Sequence, residues 1–318
     1  TQWYSLKIKR FKIRNHLITI CRRIVQVFAF LLINYVILEI IFSINLIALD
    51  GLLKVLPILN SPHNSLSNGA GILEFIFFSL TRGIIPMFLV GILIIIILLT
   101  NRFFCGWICP IGTIQDACAA IPTKKKTFKI STHRSLLKIK YVIIIFLIII
   151  LVPLGIIALV NLPLFLEYRS NLGDLGTNPL SYFSLSEYIF VFFPNLIQQI
   201  IQTSSLAPIF SNLLIFFISI FYLILIILSI WYPRLYCRYF CPFAAVSSVI
   251  SEYSFLKLSR SPVRCVGRVE CGICEKVCPK QIRMLDEPFE FFTGKGECNL
   301  CLRCKEACPY KAIDIKFG

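Results

Sequence analysis

Long stretches without a charged side chain alternate with short basic segments along the first three quarters of the chain. Three uncharged runs of 19, 26 and 46 residues occupy positions 83–101, 141–166 and 188–233. A helix needs about 20 apolar residues to cross the ~30 Å hydrocarbon core of a bilayer. A further apolar stretch near the start of the chain is interrupted by Glu39 alone. The pattern therefore predicts four transmembrane helices, at about 24–49, 82–101, 139–160 and 209–232.

Basic residues are distributed unevenly between the ends of these helices. Of the 32 Lys and Arg residues, 7 lie in positions 1–23, 8 in 101–140 and 14 in 232–318. Positive charge collects on the cytoplasmic side of membrane proteins. We therefore expect a multi-pass protein of the cell (inner) membrane with both termini in the cytoplasm. The net charge of +16 then reflects topology and contact with anionic membrane lipid, and we expect no nucleic-acid partner.

One motif occurs twice, each time directly after a predicted transmembrane helix. Residues 101–111 read NRFFCGWICPI and residues 233–243 read PRLYCRYFCPF, at a separation of 132 residues. Both copies contain an arginine, two apolar residues and C-x3-C-P, so the membrane domain is expected to consist of two repeated helix pairs in parallel orientation. Cysteines four apart share one face of a helix, and the proline favours a break after them.

If the two copies face each other, their thiols form one site at the inner membrane surface, made of Cys105, Cys109, Cys237 and Cys241. Four thiolates suit a third iron–sulfur cluster. A redox-active dithiol and a site for another metal are the alternatives, and free cysteines also serve as apolar filling. Two further cysteines, Cys21 and Cys118, stand outside the motifs and are expected to be packing residues.

The chain closes with two cysteine runs. The run at 298–309 is C-x2-C-x2-C-x3-C-P, a bacterial ferredoxin pattern, and the run at 271–279 is C-x2-C-x3-C-P. The last cysteine of such a run ligates the other cluster. This logic predicts one [4Fe–4S] cluster on Cys278, Cys298, Cys301 and Cys304. It predicts a second on Cys265, Cys271, Cys274 and Cys308, in which Cys265 lies six residues before Cys271 instead of the usual three.

Zinc and disulfides are the alternatives for these cysteines. A zinc site would use the two C-x2-C pairs, but it leaves Cys278, Cys304 and Cys308 without a role. Disulfides do not fit the reducing cytoplasm to which the charge distribution assigns this segment. Two iron–sulfur clusters therefore account best for the pattern.

The predicted fold class combines two parts. Residues 1–232 form an all-α membrane domain of four transmembrane helices, in which the first motif occupies 101–112. Residues 233–260 contain the second motif and a linker along the membrane surface. Residues 261–318 form a small C-terminal α+β two-cluster ferredoxin-like domain. Its end, 312–317, alternates apolar and polar residues as a half-buried strand does, and its clusters must supply much of its stability.

Together the motifs at 101–112, 233–244 and 265–309 resemble the NapH/MauN family of membrane ferredoxin-type proteins, and more distantly the polyferredoxin parts of NosR and CcoG. The resemblance implies quinol oxidation at the membrane and electron transfer through iron–sulfur centres to partner iron–sulfur or reductase subunits. The long spacing before Cys271 departs from the family's pattern. No terminal catalytic domain is recognisable, so the chain is expected to be a quinol dehydrogenase subunit whose terminal catalytic site lies on another subunit.

A quinone site needs a proton acceptor close to the lipid. Glu39 in the first predicted span is one candidate, because a carboxylate inside a membrane is costly and usually functional. His16, in the basic segment before that span, is the other. The apolar stretch of the outer loop, within 161–205, is predicted to be an interfacial helix or a lid over a quinone cleft.

Three functions fit the sequence. The leading hypothesis is a membrane-bound subunit that passes electrons between the quinone pool and a partner redox protein, in either direction. The second is a metal-reducing or cofactor-assembly protein similar to CcoG, which would use the C-x3-C-P thiols. The third is a membrane anchor of a larger complex in which the clusters are structural or regulatory.

Overall fold

The computed structural model describes residues 17–33, 72–177, 180, 182–204 and 213–318, and this part of the chain is mostly helical. Its residues form two compact units. The first unit consists of the described residues within Thr1–Phe30, Ile95–Thr113 and Ser247–Gly318. The second unit consists of the described residues within Leu31–Ile94 and Ile114–Val246. Two of the boundaries lie inside the helices that follow the C-x3-C-P motifs, so each of these helices contributes to both units.

Apolar helices make up the first part of the described chain. In chain order they are α1 (Leu17–Ile33), α2 (Ile72–Thr81), α3 (Met87–Thr100), α4 (Phe103–Trp107), α5 (Pro110–Cys118) and α6 (Ile130–Val160). The first turns of α6 are basic and polar, and an almost continuous aliphatic run follows them. Within the described residues, α6 is the one helix long and apolar enough to cross a membrane.

The four predicted transmembrane helices are therefore not confirmed. α6 contains the predicted span 139–160 and begins earlier, at Ile130. α3 starts at Met87 instead of residue 82, because Gly83 has a φ of 77° and Pro86 directly precedes the helix. The predicted span 24–49 lies partly outside the described residues.

The predicted outer loop folds into short helices, which are α7 (Leu162–Asn171), α8 (Asp174–Thr177), α9 (Leu185–Glu187), a π-helix (Tyr188–Phe192) and α10 (Phe193–Thr203). The Asn161 side chain caps α7 by accepting the N–H of Leu164 at 3.3 Å. On α10, Leu196 is buried while Ile197 and Ile201 are exposed. The N–H of Leu185 in this loop donates to the Tyr236 hydroxyl of the second motif at 3.0 Å, so this part of the loop and the motif do not lie on opposite membrane surfaces as the sequence predicts. A lipid or quinone contact of this loop stays a prediction.

The repeated motif has the same local structure in both copies. After α11 (Leu213–Leu228) come α12 (Leu235–Tyr239) and α13 (Pro242–Ser251), which begin 132 residues after α4 and α5. The N–H of Cys109 donates to the Phe104 carbonyl at 3.0 Å, and that of Cys241 donates to the Tyr236 carbonyl at 3.1 Å. In each copy a proline then opens the next helix, where its missing N–H is not needed. The sequence repeat is therefore also a structural repeat.

The cysteine-rich end of the chain contains a two-stranded antiparallel sheet. β1 (Leu256–Arg260) pairs with β2 (Ile313–Phe317), so the predicted strand is confirmed and its partner lies in the segment assigned to a linker. Between the strands lie α14 (Gly267–Glu270), α15 (Ile273–Lys276) and α16 (Arg303–Ala307). The buried core of this α+β domain joins apolar side chains to cysteines, among them Leu258, Phe292, Cys298, Leu300, Cys304 and Ile313, with Trp107 of the first motif.

A buried ion pair in the second unit links the helix after the first motif to the arginine of the second motif. Arg234 donates from Nε to Asp116 Oδ1 at 3.0 Å and from Nη2 to Oδ2 at 2.7 Å. Both side chains are at most 1% exposed. Two parallel hydrogen bonds fix the orientation of the pair, and breaking such a buried pair from one side is strongly destabilising.

The corresponding arginine of the first motif has a different acidic partner, within the first unit. Arg102 donates to Glu297 Oε2 and to the Gly296 carbonyl, both at 3.1 Å. Ser251 of α13 donates to the same carbonyl at 2.8 Å. Gly296 has a φ of 71°, and a Cβ at this position would collide with the carbonyl of Ser248. Only glycine therefore permits this close approach.

Replacing Asp116 with Ala is expected to destabilise the protein by about 3–5 kcal/mol, because the buried Arg234 charge would lose the carboxylate that faces it. The measurement is the thermal unfolding midpoint of the protein purified in detergent. The control is Asp314→Ala, whose pair with Lys305 is exposed by 56% and 36% and should contribute less than about 1 kcal/mol. Equal shifts of the midpoint in the two variants would contradict the prediction.

Candidate metal centre

One pocket of the cysteine-rich domain is lined by the thiols of Cys265, Cys271, Cys274 and Cys308. All four side chains are partly exposed. They are the set that the sequence assigns to one cluster, including Cys265 with its irregular spacing. Soft thiolate donors around a common pocket are what an iron–sulfur cluster requires. The residues present therefore fit such a cluster, while its ligation stays a prediction.

Backbone hydrogen bonds bring Cys265 to this pocket. Its N–H donates to the Ser261 carbonyl at 3.1 Å, and the Ser261 N–H donates to the Ala312 carbonyl at 2.8 Å. The N–H of Ala312 donates in turn to Cys308 Sγ at 3.3 Å. The turn after β1 thus holds Cys265 next to the segment that carries Cys308, although the two are distant in sequence.

A buried guanidinium group borders the same pocket. Arg260, the last residue of β1, is 6% exposed, and its Nη1 donates to Cys265 Sγ at 3.7 Å. Its Nη2 donates to the Glu287 carbonyl at 3.0 Å, and its Cζ lies 4.1 Å from the centre of the Phe289 ring. These contacts fix a positive charge beside the sulfur, where it stabilises negative charge on a ligand and its cluster.

The other predicted set lies deeper in the domain. Cys298, Cys301 and Cys304 are 6%, 8% and 4% exposed, while Cys278 is partly exposed. The pKa of the Cys298 thiol is raised to about 12, chiefly by burial, with smaller contributions from nearby Cys301 and Cys278. Burial also raises the pKa of Cys304, followed by the effects of the other three. The four thiols assigned to this cluster are therefore electrostatic neighbours.

Cys274 connects the two sets. Burial raises the pKa of its thiol to about 11, and smaller contributions come from Glu275, Cys265 and Cys308. Cys274 also contributes to the raised pKa of Cys304, in the other set. Thiols with such pKa values are protonated at neutral pH, so cluster binding must release protons. Bound iron would supply positive charge that stabilises the deprotonated thiolates.

The two cysteine runs share one backbone conformation, displaced by 30 residues. Gly272 and Leu302 follow equivalent cysteines and have φ values of 61° and 57°. Glycine adopts this left-handed conformation readily, whereas leucine adopts it at an energetic cost that points to a functional constraint. In the same alignment Arg268 stands opposite Cys298, so the first run lacks that cysteine and Cys265 takes its place at the pocket.

The first C-x3-C-P motif contacts the cysteine-rich domain within the first unit. Trp107 Nε1–H donates to the Leu300 carbonyl at 2.9 Å. Gly106 lies so close to the carbonyl oxygen of Asn299 that a Cβ would collide with it. Both contacts fall on the loop 298–301, so this copy of the motif touches a predicted cluster-binding loop directly.

The second motif is contacted by the helix that follows the first, within the second unit. Gln115 Nε2 of α5 donates to Cys237 Sγ at 3.1 Å. Gln115 is 1% exposed, and its Oε1 has no hydrogen-bond partner among the described residues. An amide buried at this cost and directed at sulfur is suited to stabilise a thiolate. Cys105 and Cys109 belong to the first unit, and Cys237 and Cys241 belong to the second. A single site shared by all four cysteines stays a prediction.

The aromatic residue between the two cysteines of the second motif contacts a histidine. Tyr239, which is fully buried, has its hydroxyl oxygen 2.7 Å from Nδ1 of His133 in the first turns of α6. The Phe128 ring packs edge-on against Tyr239 at 5.7 Å. Sequence reasoning missed His133, Gln115 and Arg260, because each acts as a single residue distant in sequence from the cysteines and belongs to no motif.

The remaining sequence candidates lie elsewhere. Glu39 and His16 are outside the described residues. Cys21 is exposed on α1, and Cys118 ends α5, where burial raises the pKa of its thiol. All 14 cysteines are free thiols. In the described part of the chain, no three His, Cys, Asp or Glu side chains are grouped so as to hold a single metal ion.

Replacing Arg260 with Gln is expected to lower the midpoint potential of the centre at the Cys265 pocket, because a nearby positive charge favours the reduced state. Hydrogen bonds to charged groups contribute about 1.5–3 kcal/mol, and a tenfold change in a one-electron equilibrium is ~59 mV. A tenfold change corresponds to about 1.4 kcal/mol, so this contribution converts to roughly 60–130 mV, and we expect a shift of no more than about 130 mV in a titration followed by electron paramagnetic resonance. Arg283→Gln, which removes an exposed charge of the same domain, is the control, and equal shifts would contradict a role of the Arg260 contact.

Comparison with known proteins agrees with the repeat. The family described as "4Fe-4S binding domain" matches the chain twice, at residues 82–129 and 214–260. Each match contains one C-x3-C-P motif, and the two begin at the spacing of the repeat. Both copies of the motif therefore lie in segments that are similar to a 4Fe-4S binding domain.

Several curated proteins are similar to the chain. "Putative electron transport protein YccM" of Escherichia coli is 27% identical over 244 residues, which are 73% of this chain and 57% of that protein. "Uncharacterized protein MJ0750" of Methanocaldococcus jannaschii is 26% identical over 233 residues, 71% of this chain and 77% of that protein. "Protein NirI" of Paracoccus denitrificans is 24% identical over 211 residues, 64% of this chain and 24% of that protein.

No solved structure matches the chain. These similarities do not single out the NapH/MauN family. They support iron–sulfur electron transport, since two segments of the chain match a 4Fe-4S binding domain and 73% of the chain is similar to a protein named for electron transport.

Proposed function

We propose that the chain is a multi-pass membrane protein that passes electrons between the quinone pool and a partner redox protein. Its two C-terminal cysteine sets would each hold a [4Fe–4S] cluster, which supplies one-electron transfer. The 4Fe-4S family match and the relative named for electron transport support the iron–sulfur part of this function. The membrane part is supported by α6 and by the uneven distribution of basic residues.

The observation that carries the proposal is the contact of the first motif with the loop 298–301. Trp107 and Gly106 touch this loop directly. Cys274 interacts electrostatically with cysteines of both C-terminal sets. The cysteines of the first unit thus form a series that begins at the motif, continues through the buried set and ends at the partly exposed Cys265 pocket. That pocket is the end at which a cytoplasmic partner subunit exchanges electrons, in either direction of flow.

The proposal includes a third iron–sulfur centre on the repeated motif, held by Cys105, Cys109, Cys237 and Cys241. Two findings support it. Both matches to the 4Fe-4S binding domain fall on the motif copies. Gln115, which follows the first motif, donates a hydrogen bond to a cysteine of the second. Such N–H···S bonds are common outer-sphere contacts of cluster ligands.

The number of iron atoms per chain tests this arrangement. Iron and acid-labile sulfide are counted in the anaerobically purified protein and in a variant with all four motif cysteines changed to Ala. Two [4Fe–4S] clusters predict about eight irons in the variant, and the native protein should exceed that number. Cys21→Ala is the control and should leave the count unchanged. Equal counts in the native protein and the four-cysteine variant would remove the third centre, and stoichiometric copper on the native motif would favour the metal-handling alternative.

Exchange with quinone is tested by adding a short-chain quinol or quinone to the purified protein without oxygen. Quinol should bleach the iron–sulfur absorbance, and quinone should restore it in reduced protein. Dithionite reduction provides the control that the centres are intact and reducible. Centres that respond to dithionite but to neither quinone species would contradict the proposed function and leave a structural or regulatory role.

A further inference from the structure

A partly buried carboxyl group lies on an otherwise apolar helix of the second unit. Glu74 stands in the first turn of α2, where most of the side chains around it are buried. Ser184 donates its hydroxyl to Glu74 Oε1 at 3.0 Å. No Lys or Arg of the described residues forms an ion pair with this carboxylate. A carboxyl group in such surroundings is costly to keep ionised and is often one that exchanges a proton.

The carboxyl group is linked to the second C-x3-C-P motif through a short turn. Leu185, the neighbour of Ser184, donates its N–H to the Tyr236 hydroxyl at 3.0 Å, and that hydroxyl donates to the Phe183 carbonyl at 3.0 Å. Tyr236 is 3% exposed and directly precedes Cys237. The hydroxyl therefore holds the turn that carries Ser184 against the motif.

Tyr236 is the common neighbour of the carboxyl group and a motif cysteine. Burial raises the pKa of its hydroxyl, and Cys241, Tyr222 and Glu74 raise it further through their charges. The Tyr222 ring centre lies 6.3 Å from that of Tyr236 and 4.9 Å from that of Tyr188. Tyr188 opens the π-helix, a rare element that is frequent at functional sites. The Tyr222 ring thus packs beside the tyrosine that joins the turn of Ser184 to the motif, and Tyr188 packs on the Tyr222 ring.

The helix that carries Glu74 packs against α6. A Cβ on Gly155 of α6 would lie 2.8 Å from Leu80 Cδ2, so the backbone of α6 and the side chains of α2 are in direct contact. Leu151 and Leu154 of α6 are buried, while Ile149 and Ile156 are exposed. Glu74 therefore lies on a helix that packs against α6, the one helix of the described residues that is long and apolar enough to cross a membrane.

We infer that Glu74 accepts the protons of a quinol that is oxidised at the second motif. The inference rests on the proposed function, because it names the proton acceptor for the same exchange. Oxidation of one quinol to quinone releases two electrons and two protons, and the electrons pass one at a time to the iron–sulfur centres. The first hydroxyl proton converts the Glu74 carboxylate to the acid. After release of that proton to water, the carboxylate accepts the second.

Ser184 acts as a positioning residue in this step. Its hydroxyl occupies one lone pair of Oε1 and orients the carboxylate. Tyr236 fixes the turn on which Ser184 lies, so the carboxyl group and the motif keep a constant spacing. In the reverse direction the acid returns the protons to a quinone that receives the two electrons.

The test uses the full-length protein with its iron content measured, and a short-chain benzoquinol or naphthoquinol as the probe. Glu74→Gln is expected to slow quinol-driven reduction of the iron–sulfur absorbance by about 100-fold or more, the usual contribution of a general base. Reduction by dithionite and the iron content should not change. Glu74→Asp keeps an acid and should keep more of the rate. Glu167→Gln, which removes an exposed carboxyl group on α7, is the matched control and should react as the native protein does.

A second readout does not depend on turnover. The redox-induced infrared difference spectrum of the native protein should contain a carboxylic-acid C=O band that Glu74→Gln removes and Ser184→Ala shifts. If Glu74 only stabilises the first turn of α2, Glu74→Gln should leave that band and the rate of reduction by quinol unchanged. If the Glu74→Gln protein loses iron, two other variants test the inference instead. They are judged by the rate of quinol-driven reduction in Glu74→Asp and by the position of the C=O band in Ser184→Ala.

The outcomes separate the inference from the proposed function. Equal quinol rates in Glu74→Gln and Glu167→Gln, or a carboxyl band that persists without Glu74, would overturn the inference and leave the proposed function standing. A native protein whose centres react with neither quinol nor quinone would overturn the proposed function, and the inference with it.

Discussion

The buried pairing of Arg234 with Asp116 is the interaction on which the surroundings of the second motif depend. Both charges are removed from water, so neither side chain can leave the other without a large cost. Gln115, one residue before Asp116, reaches Cys237 from the same helix. The ion pair therefore sets the distance at which an amide N–H faces a cysteine sulfur, and a structural contact becomes a contribution to the chemistry of the thiol.

The two motif copies keep the same arginine and use it in different ways. In the second copy it pairs with Asp116 of the preceding repeat, whereas in the first copy Arg102 pairs with Glu297 of the cysteine-rich domain. The first copy is thus attached to the part of the chain that carries the predicted ferredoxin cysteines. The second is attached, through Tyr236 and Tyr239, to the loop of Ser184 and to the start of α6. In the proposed function, the first copy lies next to the electron path, and the second lies next to the groups that accept protons.

Short-range patterns were the part of this structure that sequence reasoning could predict. In both copies of the C-x3-C-P motif, one helix ends and the next begins at equivalent residues, so the shared pattern predicts the helix boundary. The pairing of β1 with β2 could not be predicted, because a register across more than fifty residues depends on tertiary packing. Hydropathy also placed the start of the second span too early, since it does not register the left-handed Gly83.

The site contacts that matter most were hidden for the same reason. Glu74 lies in a segment between two predicted spans, and only the fold brings it to Ser184. Arg260 was one basic residue among many in the C-terminal part of the chain until the strand placed it beside Cys265. The two ligand sets, in contrast, were assigned from the spacing rules of ferredoxins alone, because spacing encodes how far a loop can reach around a cluster, and this assignment stays a prediction.

Gly106 and Arg238 occupy the same position in the two copies of the motif. The glycine lets the backbone of Asn299 approach to contact distance, whereas the buried arginine stacks on the ring of Tyr239 at 5.0 Å. A side chain of that size at position 106 would exclude the cysteine-rich domain from its place. The halves of the repeat are therefore no longer interchangeable.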